Sequence, residues 1–173
     1  RDKHVTGVQT CALPIYEAEH RQVADRLVEL VNAETKLFHD LSDNCYATFM
    51  NSGHRECWKL ESSGFRNWLS YKYFLETRGA PSDTALKAAL GTLLGQAKYE
   101  GPEKPVFRRV AKDEEALWID LCDEDWKAVK VTAREWEVVN NPPVMFMRSP
   151  TMSTLPDRKS TRLNSSHVLI SHA

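Results

Sequence analysis

A run of acidic residues in the second half of the chain could bind a divalent cation. Asp120 is followed closely by Asp123, Glu124 and Asp125. Carboxylate oxygens are the ligands that Mg²⁺ prefers, so two of these side chains converging within about 4–5 Å could hold a catalytic cation. The alternative, which we favour, is that Asp123–Asp125 cap the turn before Trp126. We therefore expect no catalytic residue and no metal ligand in this chain.

A second charged group lies at the turn of a predicted β-hairpin. His54, Arg55 and Glu56 are consecutive there, and we interpret them as a candidate functional turn. The alternative is that they form an ordinary charged turn facing solvent. The remaining histidines of the central region, His20 and His39, do not show metal-ligand spacing.

Cations that occur near aromatic residues could bind nucleic acid. The candidate nucleic-acid-binding residues are Arg66, Lys72, Arg108 and Arg109. Near Trp68, Tyr71 and Tyr73 they could form a surface that neutralises phosphates and stacks on bases. In the alternative interpretation the rings belong to the core and the charges to a solvated rim.

The two ends of the chain are related to each other through the genetic code. One choice of synonymous codons for Arg1–Ile15 has a reverse complement that translates in frame, without a mismatch, to Asp157–Ser171. Such DNA resembles an adapter used in short-read library construction. We expect residues 1–15 and 157–173 to derive from it and leave them out of fold reasoning. A single domain over 16–150 and a linker over 151–156 then remain, from a natural protein that continues further.

The central region is mildly acidic. The whole chain has 23 basic and 24 acidic residues, and 18 and 22 remain without the adapter-like ends. Such a domain does not attract nucleic acid through its general field, although a local basic patch still could. Three cysteines remain, without a CxxC pair, so we expect a reducing, cytoplasmic location. Apolar runs fall far short of the roughly 18 residues of a membrane span, so we expect no membrane partner.

Hydrophobic spacing predicts the elements of the first hundred residues. Helices are predicted over Glu17–Glu34, over Gly64–Arg78 with Gly79 closing it, and from Ser82 or Asp83 to Tyr99. A hairpin joins Cys45–Met50 to Arg55–Leu60, and its tight turn pairs residue i with residue 105−i. That register gives one apolar and one mixed face, typical of a sheet packed on one side, and separates Cys45 from Cys57.

Alternating apolar residues predict strands in the second half. The predicted extended segments are Val106–Ala111, Ala116–Cys122, Lys127–Thr132, Trp136–Val139 and Val144–Arg148. The side chains that alternation points inward are those of Val106, Val110, Leu117, Ile119 and Leu121. The order of elements predicts an α+β fold with helices packed on one side of a mainly antiparallel sheet.

Ten short segments between Val23 and Pro156 occur together in an order found in one family. They are Tyr46–Phe49, Gly53–Trp58, Gly64–Leu69, Gly79–Ser82, Ala88 with Leu90 and Gly91, Gly101–Val106, Trp118–Leu121, Asp125–Val129, Trp136–Val139 and Pro142–Val144. In the identity and order of these segments, the chain resembles the region upstream of the P-loop ATPase in phage and mobile-element proteins of the primase–helicase type. Relatives often have a hydrophobic or small residue where this chain has Cys57, which argues against a metal or redox role for that thiol.

The resemblance implies a role in DNA replication or in the maintenance of a mobile element. ATP and Mg²⁺ would be bound only by the downstream ATPase domain, because the chain contains no GxxxxGK(S/T) phosphate loop, and no GxGxxG, GxSxG or HExxH motif. We therefore expect a non-catalytic accessory domain whose partners are the missing C-terminal ATPase domain and DNA. Two alternatives remain open: a Mg²⁺-dependent primase or nuclease remnant, and a structural module that docks through exposed Phe65, Trp68 and Tyr71.

Overall fold

The structure is a computed structural model that describes residues 13–155, with side chains from residue 22 onward. Within that range its helices are α1 Leu13–Glu34, α2 Ser63–Thr77 and α3 Asp83–Tyr99. Its strands are β1 Thr35–His39, β2 Cys45–Asn51, β3 His54–Lys59, β4 Val106–Phe107, β5 Val110–Lys112, β6 Leu117–Asp120, β7 Ala128–Val131, β8 Trp136–Val139 and β9 Met145–Phe146. The predicted α+β class is confirmed, with helices segregated from mostly antiparallel strands.

The first sheet has the order β1-β2-β3, and its hairpin has the predicted register. Tyr46 pairs with Lys59 and Asn51 pairs with His54, so every pair obeys the rule i with 105−i. Ser52 and Gly53, the two central residues of the turn, both have positive φ, at 48° and 89°. This is the backbone of a two-residue hairpin turn whose twist matches that of the strands.

The three helices pack on one face of this sheet, as predicted. Leu27 and Val31 of α1, Leu69 of α2 and Leu93 of α3 are fully buried against the sheet's Ala47. Each of the last two helices begins at a serine cap: Ser62 Oγ accepts from the amide of Phe65, and Ser82 Oγ from that of Ala85. Helix α1 begins at Leu13, within the segment that the sequence assigned to adapter.

The end of α2 differs from the prediction. Arg78, with φ of 58°, takes the left-handed position that closes the helix, and its amide donates to the carbonyl of Phe74. We expected Gly79 to close the helix, because glycine carries no Cβ penalty there. The Arg78 guanidinium lies 5.7 Å from the centroid of the Phe74 ring, a cation–π contact within the same turn.

The other face of the first sheet is also covered, which corrects the expectation of a sheet packed on one side. Phe38, Tyr46 and Cys57 are buried there beneath Val106 and Met145. Cys45 lies in the core with the helices, so the predicted separation of Cys45 from Cys57 is confirmed. The short parallel pair β4 and β9 thus closes the side of the sheet that the helices leave open.

Four strands form an antiparallel sheet in the order β5-β6-β7-β8, which we call the second sheet. The predicted strand Val106–Ala111 is divided, because β4 pairs with β9 while β5 pairs with β6. The predicted inward face is wrong for this sheet. The buried apolar residues of its strands are Ala111, Trp118 and Ala128, whereas Val110 and Leu117 are exposed on the opposite face.

The residues that follow β9 are bonded to this sheet. The Leu155 amide donates to the Leu121 carbonyl and the Thr154 hydroxyl to the Cys122 carbonyl, both at 2.9 Å. Part of the segment predicted as a linker, 151–156, is thus attached to the domain. None of the helices within residues 13–155 is both long enough and apolar enough to cross a membrane.

Candidate functional site

The carboxylate of Glu56, in the candidate functional turn, is buried and accepts three hydrogen bonds. Glu56 is 6% exposed. Its Oε1 accepts from Asn51 Nδ2 at 2.6 Å and lies 3.1 Å from His54 Nε2, and its Oε2 accepts from Trp58 Nε1 at 2.6 Å. A buried carboxylate with this many donors is satisfied where it stands. The contacts therefore fix the shape of the hairpin, and they use the lone pairs that a general base would need.

Arg55 ties the same turn to the chain that follows β8. Its amide donates to Asn141 Oδ1 at 2.7 Å, and its guanidinium donates to the carbonyl of Pro142. Asn141 Nδ2 in turn donates to the carbonyl of Gly53 at 3.2 Å. The hairpin tip and the loop 140–143 therefore hold each other in place, although 86 residues separate Arg55 from Asn141.

Asp120 forms a buried ion pair with Arg148. Arg148 Nε donates to Asp120 Oδ2 at 2.9 Å, and Nη2 donates to Oδ1 at 2.6 Å. The backbone amide and the thiol of Cys122 also donate to this carboxylate, at 3.1 Å each. Because the side chain of Asp120 is 1% exposed and that of Arg148 is 15% exposed, the pair is largely withdrawn from water. Two-point binding by a planar guanidinium is among the strongest contacts a carboxylate makes.

Two of the three acidic residues that follow Asp120, namely Asp123 and Asp125, are also engaged. Asp123 Oδ1 accepts from the backbone amide of Lys127 at 2.8 Å and lies 3.9 Å from Arg148 Nη2. Asp125 Oδ2 accepts from Lys127 Nζ at 2.5 Å, and this bond is the main cause that lowers the pKa of Asp125. Asp120 and Asp123 do approach a common cation, but that cation is Arg148. Among the side chains of residues 22–155, no group of three or more potential ligands could hold a metal ion.

Trp126 joins the two sites that the sequence suggested separately. The ring of His54 is stacked on the indole of Trp126 with centroids 6.4 Å apart and planes 13° apart. The guanidinium of Arg148 lies 4.0 Å from a Trp126 ring centroid, within cation–π range. We call His54, Glu56, Asp120, Trp126 and Arg148 the junction cluster. It connects the tip of the first sheet to the second sheet.

The junction cluster encloses no space for a substrate. The void beside it, bordered by Arg55, Cys57 and Asp120, has a volume of about 10 Å³. A volume of that size holds at most a single water molecule. Burial raises the pKa of Cys57 to about 12, so its thiol stays protonated and is a poor nucleophile.

The four candidate nucleic-acid-binding cations lie in two places. Arg66 Nη2 lies 2.7 Å from Asp83 Oδ1, and Lys72 Nζ lies 2.6 Å from Glu34 Oε2, both on the helical side. Arg108 is exposed and makes no ion pair with the described residues. It lies on the opposite side of the first sheet, close enough to Tyr46 for its positive charge to act towards lowering the pKa of that phenol. Arg109 Nη2 donates to the carbonyl of Ser153 at 3.1 Å, and its Nη1 is buried without a hydrogen-bond partner. The four do not make one basic surface.

The aromatic residues of α2 are mostly core residues. Phe65 is fully buried, and Trp68 stacks on Phe49 of the sheet with centroids 4.6 Å apart. Tyr71 is 58% exposed. An exposed stripe of all three rings is therefore not present, and the docking hypothesis built on that stripe loses its main support.

Sequence reasoning missed three residues that organise the junction cluster. Trp126 stacks on His54, Asn141 accepts from the amide of Arg55, and Arg148 binds Asp120, each across a long interval of the sequence. Periodicity and motif spacing carry information about near neighbours only. Asn141 has a positive φ of 53° and precedes Pro142 in the loop after β8.

No family model matches the chain, and no curated protein and no solved structure matches it either.

Proposed function

We propose that this chain is a non-catalytic accessory domain of a phage-type DNA-replication ATPase, and that it positions DNA or a partner domain. The observation that carries the non-catalytic part is the engagement of Asp120 by Arg148. A carboxylate that serves as a metal ligand or a general base needs a free lone pair directed at a cavity. All four hydrogen-bonding positions of the Asp120 carboxylate are occupied, and the void beside it is too small for a substrate.

The candidate turn supports the same proposal. The carboxylate of Glu56 is bound by Asn51, His54 and Trp58, and the backbone around Arg55 is held by Asn141. The contacts of Glu56 hold the hairpin together, and the contact of Arg55 joins the hairpin to the loop that follows β8. Glu56, Asp120 and Arg148 are therefore engaged in structural contacts within the described residues.

The replication part of the proposal is supported by the ten ordered segments that resemble the region upstream of the motor in primase–helicase proteins. The absence of GxxxxGK(S/T) from the sequence is in keeping with ATP and Mg²⁺ binding to a downstream domain only. A cytoplasmic location and a DNA partner belong to this proposal.

The proposal is tested by assaying the purified 173-residue chain for ATP hydrolysis, primer synthesis and nuclease activity in the presence of Mg²⁺ and single-stranded DNA. We expect no activity that depends on Asp120, so that the unaltered chain and the Asp120→Asn variant give the same background. Turnover near the enzyme median of about 10 s⁻¹ that is lost in the Asp120→Asn variant would overturn the proposal. A chymotryptic digest of the two proteins controls for loss of the fold.

A further inference from the structure

One face of the second sheet carries apolar side chains that are partly exposed. Residues that pair directly across antiparallel strands share a face. The register therefore aligns two rows of residues that cross all four strands in the order β5, β6, β7, β8. The first row is Val110, Ile119, Val129 and Val138, and the second row is Lys112, Leu117, Val131 and Trp136. We call these eight residues the outer face.

The centre of the outer face is apolar, and its charges lie at the edges. Val110 and Val138 are each 51% exposed. Lys112 is exposed too, and it lies on β5, which is an edge strand of the sheet. A groove of about 820 Å³ runs along the face and reaches Asp123 and Lys127, between the end of β6 and the start of β7. An apolar centre with a charged rim is the arrangement of a protein–protein interface.

The order of residues within the rows makes this face complementary to itself. A twofold axis parallel to the strands places β5 of one copy over β8 of the other, and β6 over β7. In the first row Val110 then meets Val138 of the second copy. Ile119 likewise meets Val129, so every contact in this row is apolar. A twofold axis perpendicular to the strands would instead place Lys112 over Val110 and would give its ammonium no anion.

The parallel axis also brings opposite charges together at the rim. Lys112 of one copy comes to the start of β8 in the other, beside the turn that contains Glu135. Lys112 and Glu135 are both exposed, and neither makes an ion pair with the side chains of residues 22–155. Asp123 and Lys127, which lie 4.0 Å apart in one copy, meet their own counterparts in reverse order, so each charge faces its opposite.

We propose that the outer face binds a second copy of this chain about a twofold axis parallel to its strands. The contact is isologous, because the same surface serves in both copies. Two twisted sheets packed in this way form an aligned sandwich, with strand directions about 30° apart. The inference does not depend on the proposed function.

The size of the outer face sets the strength of the dimer. Four strands about 4.8 Å apart, each about 17 Å long, present a face of roughly 300 Å² per copy. That area is at the low end for protein–protein interfaces, so we expect a weak dimer with a dissociation constant in the range of about 0.1–1 mM.

The oligomeric state of the 173-residue chain tests this docking. Sedimentation equilibrium from about 10 µM to about 2 mM spans the expected dissociation constant. We expect the weight-average mass to rise with concentration from the 19.8 kDa of one chain towards twice that value. Val138→Glu places a charge opposite Val110 and should weaken association about tenfold or more. The matched control is Asn67→Glu on the exposed side of α2, which should leave association unchanged.

Charge reversal tests the direction of the axis. Lys112→Glu and Glu135→Lys should each weaken the dimer about threefold or more, and the double variant should recover the affinity of the unaltered chain. Lys112 lies on β5 and Glu135 lies next to β8, at opposite edges of the sheet. Recovery therefore requires a contact between two copies and not within one.

Three results would overturn the inference. The first is a mass that stays at 19.8 kDa up to the highest concentration, as it would if residues 156–173 of the same copy covered the face. The second is a dimer that Val138→Glu leaves intact, and the third is weakening by the single charge reversals that the double variant does not recover. Thermal melting checks the fold of each variant, and Val110→Glu, at the other end of the same row, replaces Val138→Glu if that variant melts early.

Discussion

The guanidinium of Arg148 binds the carboxylate of Asp120 at two points, 2.6 and 2.9 Å, and lies 4.0 Å from a ring centroid of Trp126. His54 is stacked against that same indole. One arginine therefore neutralises the acidic group and connects it, through Trp126, to the hairpin turn. The acidic run and the hairpin turn, which the sequence analysis treated separately, thus meet in one structural junction.

Breaking the ion pair on one side should destabilise the fold strongly. Arg148→Met leaves the buried Asp120 charge without its partner, and we expect a loss of about 3 kcal/mol in the free energy of unfolding, measured by urea denaturation. The double variant Asp120→Leu with Arg148→Met should recover most of that loss, because no unpaired charge remains. An Arg148→Met variant as stable as the unaltered chain would contradict the junction assignment.

Gly64 is required because the indole of Trp58 lies directly over it. A Cβ on residue 64 would lie 1.8 Å from Cζ3 of Trp58. We expect Gly64→Ala to lower stability by about 1–3 kcal/mol through overpacking, although alanine favours helices. The matched control is Gly91→Ala in α3, where nothing lies within 4 Å of the added methyl; helix propensity predicts a gain of about 0.5–1 kcal/mol there. Thermal melting of the two variants should shift in opposite directions.

The thiol of Cys57 should be inert in the folded chain. Burial raises its pKa from 9.0 to about 12. At pH 8 the thiolate fraction therefore falls about a thousandfold, from about one tenth. Iodoacetamide followed by mass spectrometry should modify Cys57 in urea and leave it unmodified in buffer; rapid modification in buffer would show that the first sheet is not covered on this side.

The same pKa shift has a consequence at alkaline pH. Between about pH 9 and 12 the unfolded state releases the Cys57 proton while the folded state keeps it, so stability is full below pH 9 and falls as pH rises through this window. A Cys57→Ala variant should lose less stability over that pH interval than the unaltered chain, when each is referenced to its own value at pH 8. Identical pH profiles would show that burial of Cys57 does not contribute to the alkaline loss.

If the domain contacts DNA, Arg108 should contribute more than Lys72. Arg108 is exposed and unpaired among the described residues, whereas the charge of Lys72 is matched by Glu34 at 2.6 Å. We expect Arg108→Ala to lower the affinity for single-stranded DNA and to reduce the salt slope by about 0.7. Lys72→Ala should change neither by a measurable amount. Equal losses for the two variants would indicate a surface that includes α2.

The sequence determined much of the fold where the information was local. The Asn51-Ser52-Gly53-His54 turn specified the hairpin register to the residue, because positive φ at Ser52 and Gly53 permits a single tight pairing. Arg148 was missed because it binds Asp120 from 28 positions away, and no periodicity connects them.

The wrong face of the second sheet has a different origin. Alternation marked Val110, Leu117 and Ile119 as inward, and these side chains lie on the face of the four-stranded sheet opposite the buried Trp118. Alternation shows which side chains share a face of the sheet and whether that face is apolar. It does not show whether another part of the same chain packs on that face.

The genomic DNA that follows the codon for Pro156 tests the central claim most directly. If the proposed function holds, sequencing of genomic DNA across that codon should show the open reading frame continuing past it and encoding GxxxxGK(S/T) between a predicted strand and a predicted helix. A frame that continues into a domain without a nucleotide-binding loop, or that stops directly after Pro156, would contradict the account.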